Sequence, residues 1–202
     1  MYGMKLVGLT GGIGCGKSFL CGHLRGVGMP VIDTDDLARQ LLLPGQPALE
    51  LVRQQFGDEI CSADGTLDRI RLSQIVFQDP DALKRLEQVL HPRIRESWEE
   101  TVHLWNQQGI SIGVIVIPLL FETGAQDRFD ATISMACSLA TQRRRLRERG
   151  WGEDHIHQRL SAQWSLASKV AASDYIIWTD TNFAATILQW EIIRQRITDK
   201  SE

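Results

Sequence analysis

Long apolar runs, paired cysteines and an excess of positive charge are all missing from this 202-residue chain, and each absence closes off a class of function. The longest apolar stretch, Ile110 to Phe121, is interrupted by Ser111, Gly113 and Pro118 and falls far short of the ~20 residues a membrane helix needs. From Met4 the chain runs straight into a strand pattern, so neither an export leader nor a membrane partner is expected. The four cysteines, Cys15, Cys21, Cys61 and Cys137, form no C-x-x-C pair and have no histidine at metal-ligand spacing. That argues against a disulfide framework and a zinc site, and it suits reduced thiols in the cytoplasm. Lys plus Arg number 22 against 25 for Asp plus Glu, a net charge of -3, which is no footprint for wrapping a nucleic acid. A small ligand is the expectation.

What is present is the material of one folded domain. With 43% hydrophobic and 23% charged residues, the chain can bury a core without a staple. Lys5 to Thr10 is a short, nearly continuous apolar run closed by glycines, as a parallel strand buried on both faces requires. Similar runs recur at Met29 to Ile32, Ile112 to Ile117, Ala131 to Met135 and Tyr175 to Trp178, spaced widely enough for helical crossovers. The class is α/β. Between Asp35 and Gln108, apolar residues instead recur at helical spacing: Leu37, Leu41 and Leu42, then Leu49, Val52 and Phe56, then Leu83, Leu86, Val89 and Leu90. One crossover does not need that much chain, so several helices are expected to form a lobe. They are punctuated by Pro44-Gly45, by Ala63-Asp64-Gly65 and by Asp79-Pro80, a cap followed by proline in the first turn. Thr181-Asn182 offers a cap for a terminal helix.

Directly after the first strand, Gly11-Gly12-Ile13-Gly14-Cys15-Gly16-Lys17-Ser18 satisfies G-x-x-x-x-G-K-[ST] and runs into a helical pattern. Glycines let successive backbone N–H groups turn inward as an anion nest, and the following helix adds about half a positive charge at its N-terminus. Lys17 would reach the β- and γ-phosphates of a nucleotide, and the Ser18 hydroxyl would ligate Mg²⁺. A GTPase switch should also carry D-x-x-G and N-K-x-D; no Asp is followed three residues later by Gly, and neither Asn106 nor Asn182 precedes a lysine.

Asp33 closes the second apolar run, and the carboxyl ends of strands are where open α/β sheets take ligands. A carboxylate there can orient a hydroxyl and accept its proton. Asp35, two residues on, reads better as a helix cap. Gln142 to Arg149 packs five arginines into eight residues. A solvated helix face, an RNA contact and a mobile lid closing over phosphates all use such a run; the lid goes best with a P-loop upstream. His91-Pro92 reads as a break between two helices, where a histidine is more often structural than functional. His155 and His157, two apart, fall on different sides of a helix and suggest no metal.

Taken in order, these pieces resemble the dephospho-coenzyme A kinase family over almost the whole length. The resemblance rests on Leu9 to Ser18, on Val31-Ile32-Asp33-Thr34-Asp35 with Ala38-Arg39, and on Pro44 to Leu49. It continues through Phe56-Gly57, Asp64-Gly65, Leu67-Asp68-Arg69, Leu90-His91-Pro92 and Pro118-Leu119-Leu120-Phe121-Glu122. It implies a P-loop NTPase three-layer fold with a parallel five-stranded sheet, a core of residues 1–34 and 110–202, a helical acceptor-binding lobe of about 35–109 and a helical lid of about 140–165. It also implies transfer from ATP, with Mg²⁺, to the ribose 3'-hydroxyl of dephospho-coenzyme A. Residue by residue, Asp33 becomes the base, with Lys17 and Arg145 acting on the transferring phosphate. Gly12, Ile13, Gly14, Cys15, Gly16, Lys17, Ser18, Phe19 and Arg149 hold the nucleotide. Asp33, His91, Pro118, Leu119 and Glu122 lie on the acceptor side.

Two positions depart from the family pattern. Phe19 stands where a small hydroxyl residue usually follows the P-loop serine, leaving only its backbone N–H for a phosphate. Trp178-Thr179-Asp180-Thr181 replaces an Asn-containing turn near the adenine, which puts base selectivity in question.

Overall fold

The computed structural model describes residues 3–199, apart from the side chain of Phe77. Lys5–Gly11 forms β1, buried from Leu6 onward, and Ile112–Val116 (β3) and Ala131–Ala136 (β4) are buried throughout. Strands with helices on both faces have no solvent side, which is why they are apolar at successive rather than alternate positions. Val31–Asp33 is β2 and Tyr175–Trp178 is β5. The sheet is parallel, in the order β2-β3-β1-β4-β5. All five expected runs are therefore strands. The second starts later than its apolar pattern, because Pro30 has no N–H for a ladder: its carbonyl accepts from Val114 at 3.0 Å, and the strand begins one residue on.

The central β1 pairs with β3 on one side (Leu9 opposite Val116) and with β4 on the other (Gly11 opposite Met135). The chain leaves β1 to build one half of the sheet and returns to its other side to build the second. Such a reversal leaves a crevice at the strands' carboxyl ends.

The described chain forms two compact units, one running to Ile32 and resuming at Trp105, the other Asp33–Leu104. In the first, Lys17–Gly26 (α1) follows β1, and Val7, Leu9, Leu20, Leu24, Ile133 and Trp190 are among the side chains of its core. Full burial of each such aliphatic side chain contributes roughly 2 kcal/mol.

The second unit has its own apolar core. Thr34–Leu41 (α2), Pro47–Phe56 (α3), Arg69–Gln78 (α4) and the long Pro80–Gln107 (α5) supply most of its helices. Leu49, Val52, Phe56, Leu72, Val76 and Val89 pack together there. Asp68 caps α4 through the Arg71 N–H, and Asp79 accepts from the Asp81 N–H at 2.9 Å where α5 begins.

The expected break at His91-Pro92 is absent: α5 runs unbroken through Pro92. Proline removes one helical N–H and disturbs the preceding turn. There the Arg93 guanidinium donates to the Val89 carbonyl at 2.7 Å, while Ala82 and Val89 before the proline and Trp98 after it are buried. Packing on both sides holds the two halves in line.

The remaining helices, Leu139–Glu148 (α6), Glu153–Ser161 (α7), Leu166–Ala172 (α8) and Phe183–Asp199 (α9), belong to the first unit. Asn182 caps α9, accepting from the Ala185 N–H at 2.9 Å. Among the described residues no helix is long and apolar enough to cross a membrane.

Candidate active site

The loop after β1 is shaped by glycines at backbone angles where a side chain would be strained. Gly11 has φ +133°, and a Cβ on it would meet the Met135 carbonyl oxygen at 2.2 Å. Gly16, at φ +89°, is the left-handed residue from which α1 starts.

Every carbonyl from Gly11 to Gly16 has a donor. The Lys17 ammonium lies across the loop and donates to Gly11 at 2.6 Å and Gly12 at 3.0 Å. Gln142 Nε2 donates to Ile13 at 2.7 Å, Arg145 Nη1 to Gly14 at 3.2 Å and Thr179 Oγ1 to Cys15 at 3.1 Å. Gly16 accepts from the N–H groups of Phe19 and Leu20 in the first turn of α1. Across a trans peptide a C=O and the next N–H point opposite ways. Holding Ile13 by Gln142 and Cys15 by Thr179 therefore turns the amides of Gly14 and Gly16 away from those two side chains, where they can meet an anion.

Beside the loop is a cavity of about 560 Å³, lined among others by Gly14, Ser18, Phe19, Arg145, Arg149 and Phe183. The Phe19 and Phe183 rings stack at 4.1 Å, 25° from parallel. The arginine-rich α6 is neither uniformly solvated nor uniformly aimed. It buries Gln142 and Leu146; Arg144 pairs with Glu148 at 2.9 Å, and Arg147 pairs with Glu153. Arg145 forks onto Thr179, one nitrogen on its hydroxyl at 3.0 Å and the other on its carbonyl. Arg149, at the end of α6, is exposed on the cavity wall.

The other expected residues sit as follows. Asp33, half-buried, is the last residue of β2 and caps α2, accepting from the Asp35 N–H at 3.0 Å. The cap is thus Asp33 and not Asp35, which lies inside the first turn because the helix starts at Thr34, directly on the strand. His91 is half-buried within α5. Pro118, Leu119 and Glu122 follow β3; the Pro118 carbonyl accepts from Thr10 Oγ1 at 3.1 Å, one residue before the loop. Glu122 Oε1 pairs with the Lys169 ammonium at 2.9 Å and accepts from the Trp164 N–H at 2.9 Å, while Oε2 is buried without a hydrogen bond.

Sequence reasoning missed Lys169 and Gln142, and it knew Thr179 only as a departure. It also missed that the thiols of Cys15 and Cys137 lie 3.4 Å apart. The hydrogen bond from Cys137 lowers the Cys15 pKa against the opposing effect of burial, helped by the charges of Lys17 and Arg145. The same bond, together with burial, raises that of Cys137.

For Mg²⁺ the donor set fits. The Ser18 hydroxyl in the first turn of α1 is exposed on the cavity wall, a hard neutral oxygen. Among the described residues no group of three or more His, Cys, Asp or Glu could hold a metal. Mg²⁺ characteristically takes one or two protein oxygens and completes its shell with phosphates and water.

Amides freed toward an anion, a lysine across the loop and a cavity walled by arginine, set in a parallel sheet of this strand order, define a P-loop phosphotransferase. The family model described as dephospho-CoA kinase matches residues 5–185, and the chain belongs to that family. The dephospho-CoA kinase of Bdellovibrio bacteriovorus is 42% identical over 174 residues, covering 86% of this chain and 87% of the relative. That of Thermobifida fusca is 38% identical over 199 residues, covering 96% and 98%. A solved structure from Thermus thermophilus matches with a TM-score of 0.85 and 30% identity, over 96% of this chain and 98% of the other. A shikimate kinase from Bacteroides thetaiotaomicron, at TM-score 0.52 and 16% identity over 96% and 98%, shares the fold alone. The chain is a kinase.

Proposed function

We propose that this kinase transfers the γ-phosphoryl group of ATP to the ribose 3'-hydroxyl of dephospho-coenzyme A, giving coenzyme A and ADP, the final step of coenzyme A biosynthesis. The observation that carries the reading is the phosphate cradle of Gly11 to Ser18 inside a chain matched by this family over residues 5–185. A bond forms between the 3'-oxygen and the γ-phosphorus as the bond to the β–γ bridging oxygen breaks, and the hydroxyl proton passes to the Asp33 carboxylate. One Asp33 oxygen caps α2, and the carboxylate so oriented can take that proton. Lys17 and the inward amides hold the β- and γ-phosphates. Arg145 and Arg149, at the cavity wall, act on charge that redistributes during transfer. The Ser18 hydroxyl, with the nucleotide, would hold Mg²⁺, which would supply neutralisation of phosphate charge when bound. His91, Pro118, Leu119 and Glu122 serve the acceptor. The thiols of Cys15 and Cys137, hydrogen-bonded at 3.4 Å and not joined in a disulfide, suit a reducing compartment such as the cytoplasm.

The test is ADP release from ATP and Mg²⁺ with a panel of acceptors. Dephospho-coenzyme A should turn over, and AMP, CMP and adenosine should be poor, because the remote pantetheine arm supplies binding energy that helps position the ribose. Equal or better turnover of a nucleoside monophosphate would defeat the acceptor and leave a P-loop kinase of another specificity.

A further inference from the structure

We propose that Thr179 and Gln142 are positioning residues for the phosphate loop: with Arg145 they form a clasp on its carbonyls that keeps the amides of Gly14 and Gly16 turned toward the nucleotide. The inference rests on the P-loop reading above and is independent of the acceptor.

Three consecutive carbonyls, Ile13, Gly14 and Cys15, are each held by a different side chain, Gln142, Arg145 and Thr179. None of the three comes from the loop itself. Thr179 is the joint of the clasp. Its hydroxyl donates to Cys15 and at the same time accepts from Arg145 at 3.0 Å, and its carbonyl takes the second guanidinium nitrogen. Its own N–H is anchored on the Ala136 carbonyl at 2.8 Å, extending the pairing of β4 with β5, so the hydroxyl is carried by the rigid sheet. Thr179 is 3% and Gln142 3% exposed; an acceptor that loses its donor there is not rescued by water.

A glycine-rich loop is permissive by composition, and its glycines allow amide-in and amide-out arrangements alike. The clasp selects the first. An unsatisfied buried carbonyl would favour rotation of its peptide, and rotation after Ile13 or Cys15 takes the amide of Gly14 or Gly16 out of the anion site, whereas the Cys15 amide is held within the loop by the Gly12 carbonyl at 3.2 Å. The departure at Thr179 thus has a role in this chain: a short hydroxyl side chain that both donates and accepts links Cys15 to Arg145, and valine, its apolar isostere, can do neither.

The experiment compares Thr179→Val, Thr179→Ser and Gln142→Met. ATP affinity is read by direct calorimetric titration, KM values for ATP and for dephospho-coenzyme A by initial rates, and folding by thermal melting. Thr179→Val and Gln142→Met should each weaken ATP about tenfold, the scale of one buried acceptor left unpaired. KM for ATP should rise with it while KM for dephospho-coenzyme A holds, and Thr179→Ser should restore ATP affinity. A folded Thr179→Val chain that binds ATP like the parent overturns the inference, as does a serine variant no better than valine. If Thr179→Val does not fold, Gln142→Met decides by the same readouts. A parent chain that binds ATP but does not phosphorylate dephospho-coenzyme A would overturn the proposed acceptor and leave the ATP titration as the test of the clasp.

Discussion

The ammonium of Lys169 lies 2.9 Å from Oε1 of Glu122, and the lysine side chain is wholly sealed from solvent. It also donates to the Pro118 carbonyl, which Thr10 shares. A buried cation is tolerated only with partners, so this pair ties α8 to the segment after β3 and, through Pro118, to the strand that feeds the phosphate loop. Lys169→Met should cost about 3–5 kcal/mol, chiefly because it strands the Glu122 carboxylate without a counter-ion. Adding Glu122→Gln should recover much of that. Urea unfolding of both variants checks it; a double variant no more stable than the single would show that packing, and not charge, sets the cost.

Lys17→Ala should abolish most phosphoryl transfer while the chain still folds, since the lysine, the first residue of α1, acts on charge that redistributes during transfer. Single-turnover rates with circular dichroism measure the two separately. Unchanged turnover would sink the P-loop assignment.

Asp33→Asn separates two roles that share one side chain. Asparagine caps a helix about as well as aspartate, so stability should hold, whereas loss of a positioned base should lower kcat by roughly 10²-fold or more. ATP binding should be largely kept. A collapse of ATP affinity instead would make Asp33 part of the metal shell.

Arg145→Lys keeps the charge and loses the planar fork that reaches the Thr179 hydroxyl, the Thr179 carbonyl and the Gly14 carbonyl together. The transfer rate should fall much more than acceptor affinity does. A fully active lysine variant would mean that a point charge suffices and the fork does nothing.

What can be read from local sequence is what local physics decides. The strand at Lys5–Gly11 shows as an apolar run because burial on both faces removes any polar alternation, and the phosphate loop shows because its backbone angles demand glycine at particular places. The break expected at Pro92 obeyed a sound local rule and failed because core contacts on both sides of the proline outweigh one lost hydrogen bond. The cap assigned to Asp35 failed by two residues, the usual uncertainty of where a strand stops and a helix begins.

The amino-acid sequence by itself therefore determined the parallel α/β class, the anion-binding loop and, through the order of its motifs, the family. Only the tertiary structure decided what holds that loop in its working shape. Gln142 is 129 residues from Ile13, Arg145 is 131 from Gly14, and Thr179 is 164 from Cys15. Nothing in the composition around Lys169 marks it as the counter-ion of Glu122, and nothing around Cys137 marks it as the neighbour of Cys15. Periodicity and propensity act over a few residues, whereas a buried polar group takes whichever partner the folded sheet brings within 3 Å or so of it.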